Sequence, residues 1–400
     1  MGMETVLTKE QPAKGSPLTS WPAVISVMAG LFSLVTTEIL PIGLLTSIGA
    51  DFTVSDGMAG LMMTMPGFLA AVSAPLVTVA TARVDRRRML CAFMLLLALA
   101  NFVAATADDY GWILASRAAV GVTIGGFWSI GAGLAPRLVA APSVGRATAV
   151  IFAAVPLGSV LGVPLGTFVG DVAGWRTAFA AMGALSLAVF AALLSVVPPL
   201  PPEQVTRLCT LGRQLGRGGT RFALLVTFLI VLAHFGAYTY VTPFLEQVAR
   251  AGPGVITAAL LAFGAAGMLG NFVGGPAAAR RPYAAFGAAA GTLAVATLLL
   301  PVLGRWEAGA FALLVVWGVG YGAVPVCSRT LFAMAAPGEA EASSTLFTAS
   351  FQATISTGAL AGGALLDRSS PSVVLTVGGA VALLVVPAVL WRVAARTAAV

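Results

Sequence analysis

The chain has 400 residues, 58% of them hydrophobic and only 9% charged, with a mean hydropathy of +0.96. Soluble domains carry roughly 25% charged residues, so this composition excludes a soluble domain. The net charge of +7 then reports loop arginines rather than an acidic partner, which argues against nucleic-acid binding.

A helix that crosses roughly 30 Å of hydrocarbon needs about 20 apolar residues. Residues 1–20 are polar, lack the pattern of a cleaved signal, and are expected to form a cytoplasmic tail. Twelve apolar stretches follow, at 22–46, 57–80, 88–107, 110–136, 146–170, 175–197, 221–246, 254–277, 283–302, 307–330, 340–366 and 371–394. Between the sixth and seventh lies a segment rich in Pro, Gly and Arg that reads as a linker. The expected organisation is a tail at 1–20, a six-helix bundle at 21–197, a cytoplasmic linker at 198–220, and a second six-helix bundle at 221–400 ending in a short cytoplasmic tail. The fold class is therefore an all-α polytopic membrane protein with twelve transmembrane helices in two pseudo-symmetric bundles. A shift of 196 residues lays Gly162, Gly166 and Asp171 over Gly358, Gly362 and Asp367, the duplication on which many secondary transporters are built.

Lys and Arg in alternate loops set the orientation. Seventeen of the 22, Arg329 included, fall on one side; four fall on the other, and Arg117 lies within a span. Both termini and the linker are thus expected in the cytoplasm.

Charged groups within spans are costly, by about 3 kcal/mol on insertion scales, and mark pathways for ions or substrates. Glu38 sits in TTEILPIGLL, inside a run from Val24 to Leu45 with no other charge, and Pro41 is expected to kink the helix beside it. Arg117 lies at a similar depth in span 4, about 10 Å below the outer surface at 1.5 Å per residue, where the two charges could offset each other. Alternatives are a structurally neutralised carboxyl and an arginine that reaches outward to the interface. His234, the only histidine, lies at membrane depth in span 7, and its ordinary pKa near 6.5 suits proton exchange; a hydrogen-bonded structural role is the alternative. Glu38, Arg117 and His234 are the proton-coupling candidates.

Substrate-binding candidates are the aromatic and polar side chains of the expected cavity helices: Phe127, Trp128, Phe152, Tyr238, Tyr240, Asn271, Trp317, Tyr321, Phe351 and Gln352. Rings there could stack on a flat heterocycle, with Trp128 and Trp317 as twin walls, although packing or lipid contact is the common fate of each ring taken singly. The loop ARVDRRRML carries Arg83, Asp85, Arg86 and Arg87, which could anchor to anionic lipid or hold a gate. The three cysteines, Cys91, Cys209 and Cys327, form no CxxC pair and point to neither disulfide nor metal site.

SRAAVGVTIGGFW in span 4, with Arg117, Gly121 and Gly125, and GSVLGVPLG in span 5, with Gly158, Gly162, Pro164 and Gly166, resemble signatures of the major facilitator superfamily, in its twelve-helix drug:proton antiporter group. TTEILPIGLL, GGFWS and HFGAYTYVTPF most resemble the arabinose-efflux-like branch and its purine ribonucleoside efflux permeases. The resemblance covers nearly the whole chain and makes the span 5 glycines and Pro164 conformational elements. One departure stands out: the family's loop between spans 2 and 3 carries an acid where this chain has Ala82.

The resemblance implies a monomeric bacterial inner-membrane transporter that uses alternating access and the proton gradient, with no cofactor and no metal, to export purine nucleosides or related bases. Efflux of drugs, antibiotics or sugars is the alternative. No nucleotide-binding fingerprint stands outside the apolar helices, and one histidine without HExxH argues against an intramembrane enzyme. A non-transporting sensor is a third class, distinguished by binding without flux.

Overall fold

The computed structural model describes residues 17–81, 83–131, 134–201, 213–337 and 340–397. Most of the expected tail, the centre of the linker, and Ala82 lie outside the described residues.

Every predicted span coincides with a helix or a broken pair of helices. Span 1 is α1 (Pro17–Ile39) and α2 (Pro41–Asp51). Pro41 has no N–H to give to the carbonyl four residues back, so the helix breaks at Leu40, as the proline predicts. Span 2 is α3 (Asp56–Ala59), which Ser55 caps by accepting from Met58 N at 3.0 Å, and α4 (Leu61–Ala80). Next come α5 (Arg86–Ala105), α6 (Tyr110–Gly131), the short α7 (Ala135–Leu138), α8 (Val144–Ala173) and α9 (Trp175–Val196). Gly174, at φ +83°, makes the turn between α8 and α9 that other residues rarely adopt. Span 7 is again broken, into α10 (Gly218–Tyr238) and α11 (Val241–Gln247). The remaining spans are α12 (Pro253–Arg280), α13 (Pro282–Leu303), α14 (Glu307–Ala335), α15 (Ala340–Leu366) and α16 (Pro371–Thr397). Prolines open α12, α13 and α16, where the missing N–H costs nothing.

Ten helical segments among the described residues are long and apolar enough to cross a membrane. The other two spans are α6, which carries Arg117, and α15, which opens on the polar run AEASST. Helix α1 starts at Pro17, four residues inside the expected tail, and α14 runs five residues past its predicted end at 330.

The duplication is legible in the packing. In the first half α1 packs on α8, α4 on α6, and α5 on α9; in the second, α10 packs on α15, α12 on α14, and α13 on α16. The halves meet through α4 against α15 and α8 against α12. The first half buries its own apolar cluster, and that of the second half takes in Ile42, Met63 and Val163 from the first. A third cluster, at the arginine-poor end, draws on both halves: Leu40, Leu44, Ile48 and Phe179 from the first, Tyr240, Leu366 and Val374 from the second.

Candidate functional site

The break in span 1 organises the site. Pro41 leaves the Thr37 carbonyl without its helical donor, and Pro66 in α4 does the same to Met62. Arg117, 1% exposed, takes both: its guanidinium donates to Thr37 O at 2.9 Å and to Met62 O at 3.0 Å, and a third N–H donates to the carbonyl of Glu38 at 2.9 Å. The expected attraction between the Arg117 and Glu38 charges is present, while the guanidinium N–H groups go to backbone carbonyls. Among the described residues the guanidinium donates to the backbone of Glu38 and not to its carboxylate, its other two donors being taken by the proline-orphaned carbonyls. Asn101 of α5 adds a bond to the Thr37 hydroxyl at 3.3 Å.

The Glu38 side chain, 8% exposed, instead lies towards Gln352 of α15 in the second half. Among the described residues, the buried Gln352 Oε1 atom has no hydrogen-bond partner, nor do the buried Thr36 and Ser356 hydroxyls. Tyr321 of α14 lies within electrostatic reach of the carboxyl. A carboxyl thus sits where two halves meet, with Gln352 and Tyr321 of the second half near it. This arrangement can take up and release a proton and register the relative position of the halves.

His234 lies elsewhere, in an aromatic box within the second half. Its ring stacks on Tyr321 at 3.3 Å between centroids and on Tyr238 at 5.1 Å, with Phe263 parallel at 6.1 Å. Trp317, fully buried, donates its indole N–H to His234 Nδ1 at 3.1 Å. That bond needs the Nδ1 lone pair, which puts the ring proton of the neutral form on Nε2.

The substrate candidates divide. Trp128 and Phe152, half-buried, adjoin each other at 6.2 Å; Phe351, half-buried, adjoins Phe347 at 5.2 Å. Trp317 is locked in the box, so the twin-tryptophan wall does not form. Phe127 is fully buried against Gly30, and Tyr240 is spent on a 2.6 Å bond to Ala359 O. Asn271 is exposed and has no partner among the described residues.

On α8, a side chain at Gly158, Gly162 or Gly166 would meet Val35, Ile39 or Leu40 at 2.8, 3.0 and 2.6 Å. These glycines let α8 lie directly against the broken segment that carries Glu38. Pro164 is buried in the same helix. In the loop before α5, Asp85 caps α5, accepting from Arg87 N at 2.9 Å and Arg88 N at 3.3 Å. Arg86 donates to Thr81 O at 3.3 Å, Arg87 to Leu194 O, and Arg83 is exposed. A cavity of about 470 Å³ beside this loop is lined by Asp85, Arg87, Arg88, Phe190 and Leu194, none of them from the central site.

At the arginine-poor end four hydrogen bonds join the halves: Thr46 to Glu246 at 3.0 Å, Thr242 to Ile42 O at 3.0 Å, Gln247 to Asp56 at 3.1 Å, and Gly57 N to Asp367 at 3.0 Å. Beside them, Asp51 accepts from Trp175 and pairs with Arg176, and these bonds hold its carboxyl below the usual carboxylate range.

Sequence reasoning missed Thr37, Asn101, Met62 and Ser356. The prolines at 41 and 66 were the available signal, since each names the carbonyl it orphans. It also counted Arg329 among loop charges; the structure places it inside α14, six residues before the end.

Comparison with known proteins bears on the whole chain. The purine ribonucleoside efflux pumps NepI of Escherichia coli and of Shigella flexneri are each 30% identical over 382 residues, 96% of both chains. Among solved structures, a bacterial homologue of the human lysosomal transporter Spinster superposes with a TM-score of 0.71 at 16% identity, covering 94% of this chain and 98% of its own. The human organic anion transporter TETRAN gives 0.67 at 17% identity, covering 95% and 100%. The Major Facilitator Superfamily family model matches residues 25–353, and these relatives are transporters rather than enzymes. By that match and by its two six-helix halves, this multi-pass membrane transporter belongs to the Major Facilitator Superfamily.

Proposed function

We propose that this chain exports purine ribonucleosides from a bacterium in exchange for protons, by alternating access across the cytoplasmic membrane. The observation that carries the coupling is the Glu38 carboxyl, buried at the break of span 1 and facing Gln352 of the other half. A proton there changes what one half presents to the other, which is what linking proton transfer to rocking of the halves requires. The purine assignment rests on similarity to the NepI pumps along 96% of the chain, together with the half-buried rings Trp128, Phe152 and Phe351.

In this reading the arginine-rich end and both termini face the cytoplasm, and the cross-half bonds close the opposite end. The protein acts as a monomer in the lipid bilayer and needs no cofactor, the proton gradient supplying the energy.

The test is uptake of labelled inosine into inside-out vesicles with and without an uncoupler. Uphill, uncoupler-sensitive uptake is expected from the parent, and Glu38→Gln should abolish it while sparing substrate binding and downhill exchange. Export of a cationic drug with no transport of inosine or guanosine sinks the purine assignment. Unimpaired uphill pumping by Glu38→Gln sinks the coupling role.

A further inference from the structure

Arg329 is an exposed cation inside a transmembrane helix, on the arginine-rich side of Tyr321 by eight residues, or about 12 Å along α14. Such a charge is kept from lipid, facing the bundle interior, a water-filled cavity or the interface. Its guanidinium rests over two rings from opposite halves, Phe152 of α8 at 5.8 Å and Phe347 of α15 at 5.2 Å. The exposure is therefore to the space between the halves. Trp128 extends the aromatic surface beyond Phe152, and Phe351 extends it beyond Phe347. Among the described residues no carboxylate pairs with Arg329 and no acceptor takes its N–H groups.

Stacking uses the flat face of a guanidinium and leaves its in-plane fork of donors unspent. A cation with free donors and aromatic neighbours on both sides asks for a flat ligand that carries two adjacent acceptors along one edge. Among purines that edge is O6 and N7 of a 6-oxopurine, which arginine binds bidentately; an adenine presents an amino group in place of O6.

We propose that Arg329 reads the O6/N7 edge of inosine or guanosine while the rings of Phe152 and Phe347 flank the base. This deepens the purine reading and rests on it. It makes Arg329 a specificity-determining residue near the cytoplasmic mouth, one that selects 6-oxopurine ribosides before they reach Glu38.

The experiment measures competition against labelled inosine uptake in inside-out vesicles, using inosine, guanosine, adenosine, purine riboside (hydrogen at C6) and 7-deazainosine (no N7). In the parent protein the last three should compete about 5- to 150-fold more weakly than inosine, the range that one bidentate arginine contact gives. Arg329→Gln should bring inosine to within about threefold of purine riboside, whose own constant stays put, and Arg329→Lys should fall between. The parent series needs no variant to fold. Equal competition by inosine and purine riboside in the parent overturns the assignment while leaving purine export standing. An equal loss for every competitor in Arg329→Gln does the same, since it reduces the residue to packing. Stronger competition by inosine 5′-monophosphate than by inosine, lost in Arg329→Gln, gives the guanidinium to a phosphate instead and also overturns it. If the parent carries no purine ribonucleoside of any kind, the broader reading fails and this one with it.

Discussion

Replacing Arg117 with alanine removes the guanidinium donors to two buried carbonyls. Thr37 O and Met62 O cannot regain their usual helical partners, because residues 41 and 66 are prolines. Leaving a buried acceptor unsatisfied costs about 1–3 kcal/mol, so the two together put the penalty of Arg117→Ala at about 2–6 kcal/mol. The Glu38 carbonyl adds a third lost bond. The same reasoning says how to rescue the variant. Pro66→Ala returns an N–H to Met62 O, and Pro41→Ala returns one to Thr37 O. In either background the penalty of Arg117→Ala should shrink by about 1–3 kcal/mol, measured as a double-mutant cycle by denaturation in mixed micelles. Pro41→Ala should also straighten span 1 and impair transport even as it restores stability, because the break positions Glu38. A penalty unchanged within about 0.5 kcal/mol in both proline backgrounds would show that the guanidinium is not held by these carbonyls, and the account of the span 1 break would fall with it.

Two other outcomes follow from the geometry. His234→Phe keeps the stacking on Tyr321 but orphans the Trp317 N–H, at about 1–3 kcal/mol, and pairing it with Trp317→Phe should recover most of that loss. Both variants should still pump against a gradient; loss of coupling with normal folding would return His234 to the proton path. Cysteines placed at Asp108 and Gly216 in a cysteine-free background should react with an impermeant maleimide from opposite sides of the membrane, and labelling from the same side would overturn the orientation.

The helices were legible because twenty-residue apolar runs have few other uses, and the break at Pro41 was legible because a proline's missing N–H is a local fact. The partner of Arg117 was not. Residue types suggest pairing a cation with the nearest anion, whereas its N–H groups here go to backbone carbonyls, visible only when each proline is read as a carbonyl left open four residues earlier. The aromatic box was illegible for a different reason. Its members His234, Phe263 and Trp317 come from three helices, and nothing local says that a tryptophan at membrane depth faces a neighbouring helix instead of a cavity. Arg329 was lost to a boundary: ending span 10 at 330 makes it a loop charge, while the helix continues to Ala335 and leaves it among rings.

The bond between Gly57 N and Asp367 has the geometry of a helix cap supplied from the opposite half of the molecule. With its three neighbours it closes one end through polar bonds, each worth about 0.5–1.5 kcal/mol net, or about 2–6 kcal/mol in all. Shifting a two-state balance from 1:99 to 99:1 takes about 5.5 kcal/mol, so these polar bonds are of a strength that a single binding or protonation event can overcome. Water admitted as the seam parts can satisfy the same donors and acceptors, so opening leaves no buried group stranded. A fastening of this kind can be undone and remade at every turnover.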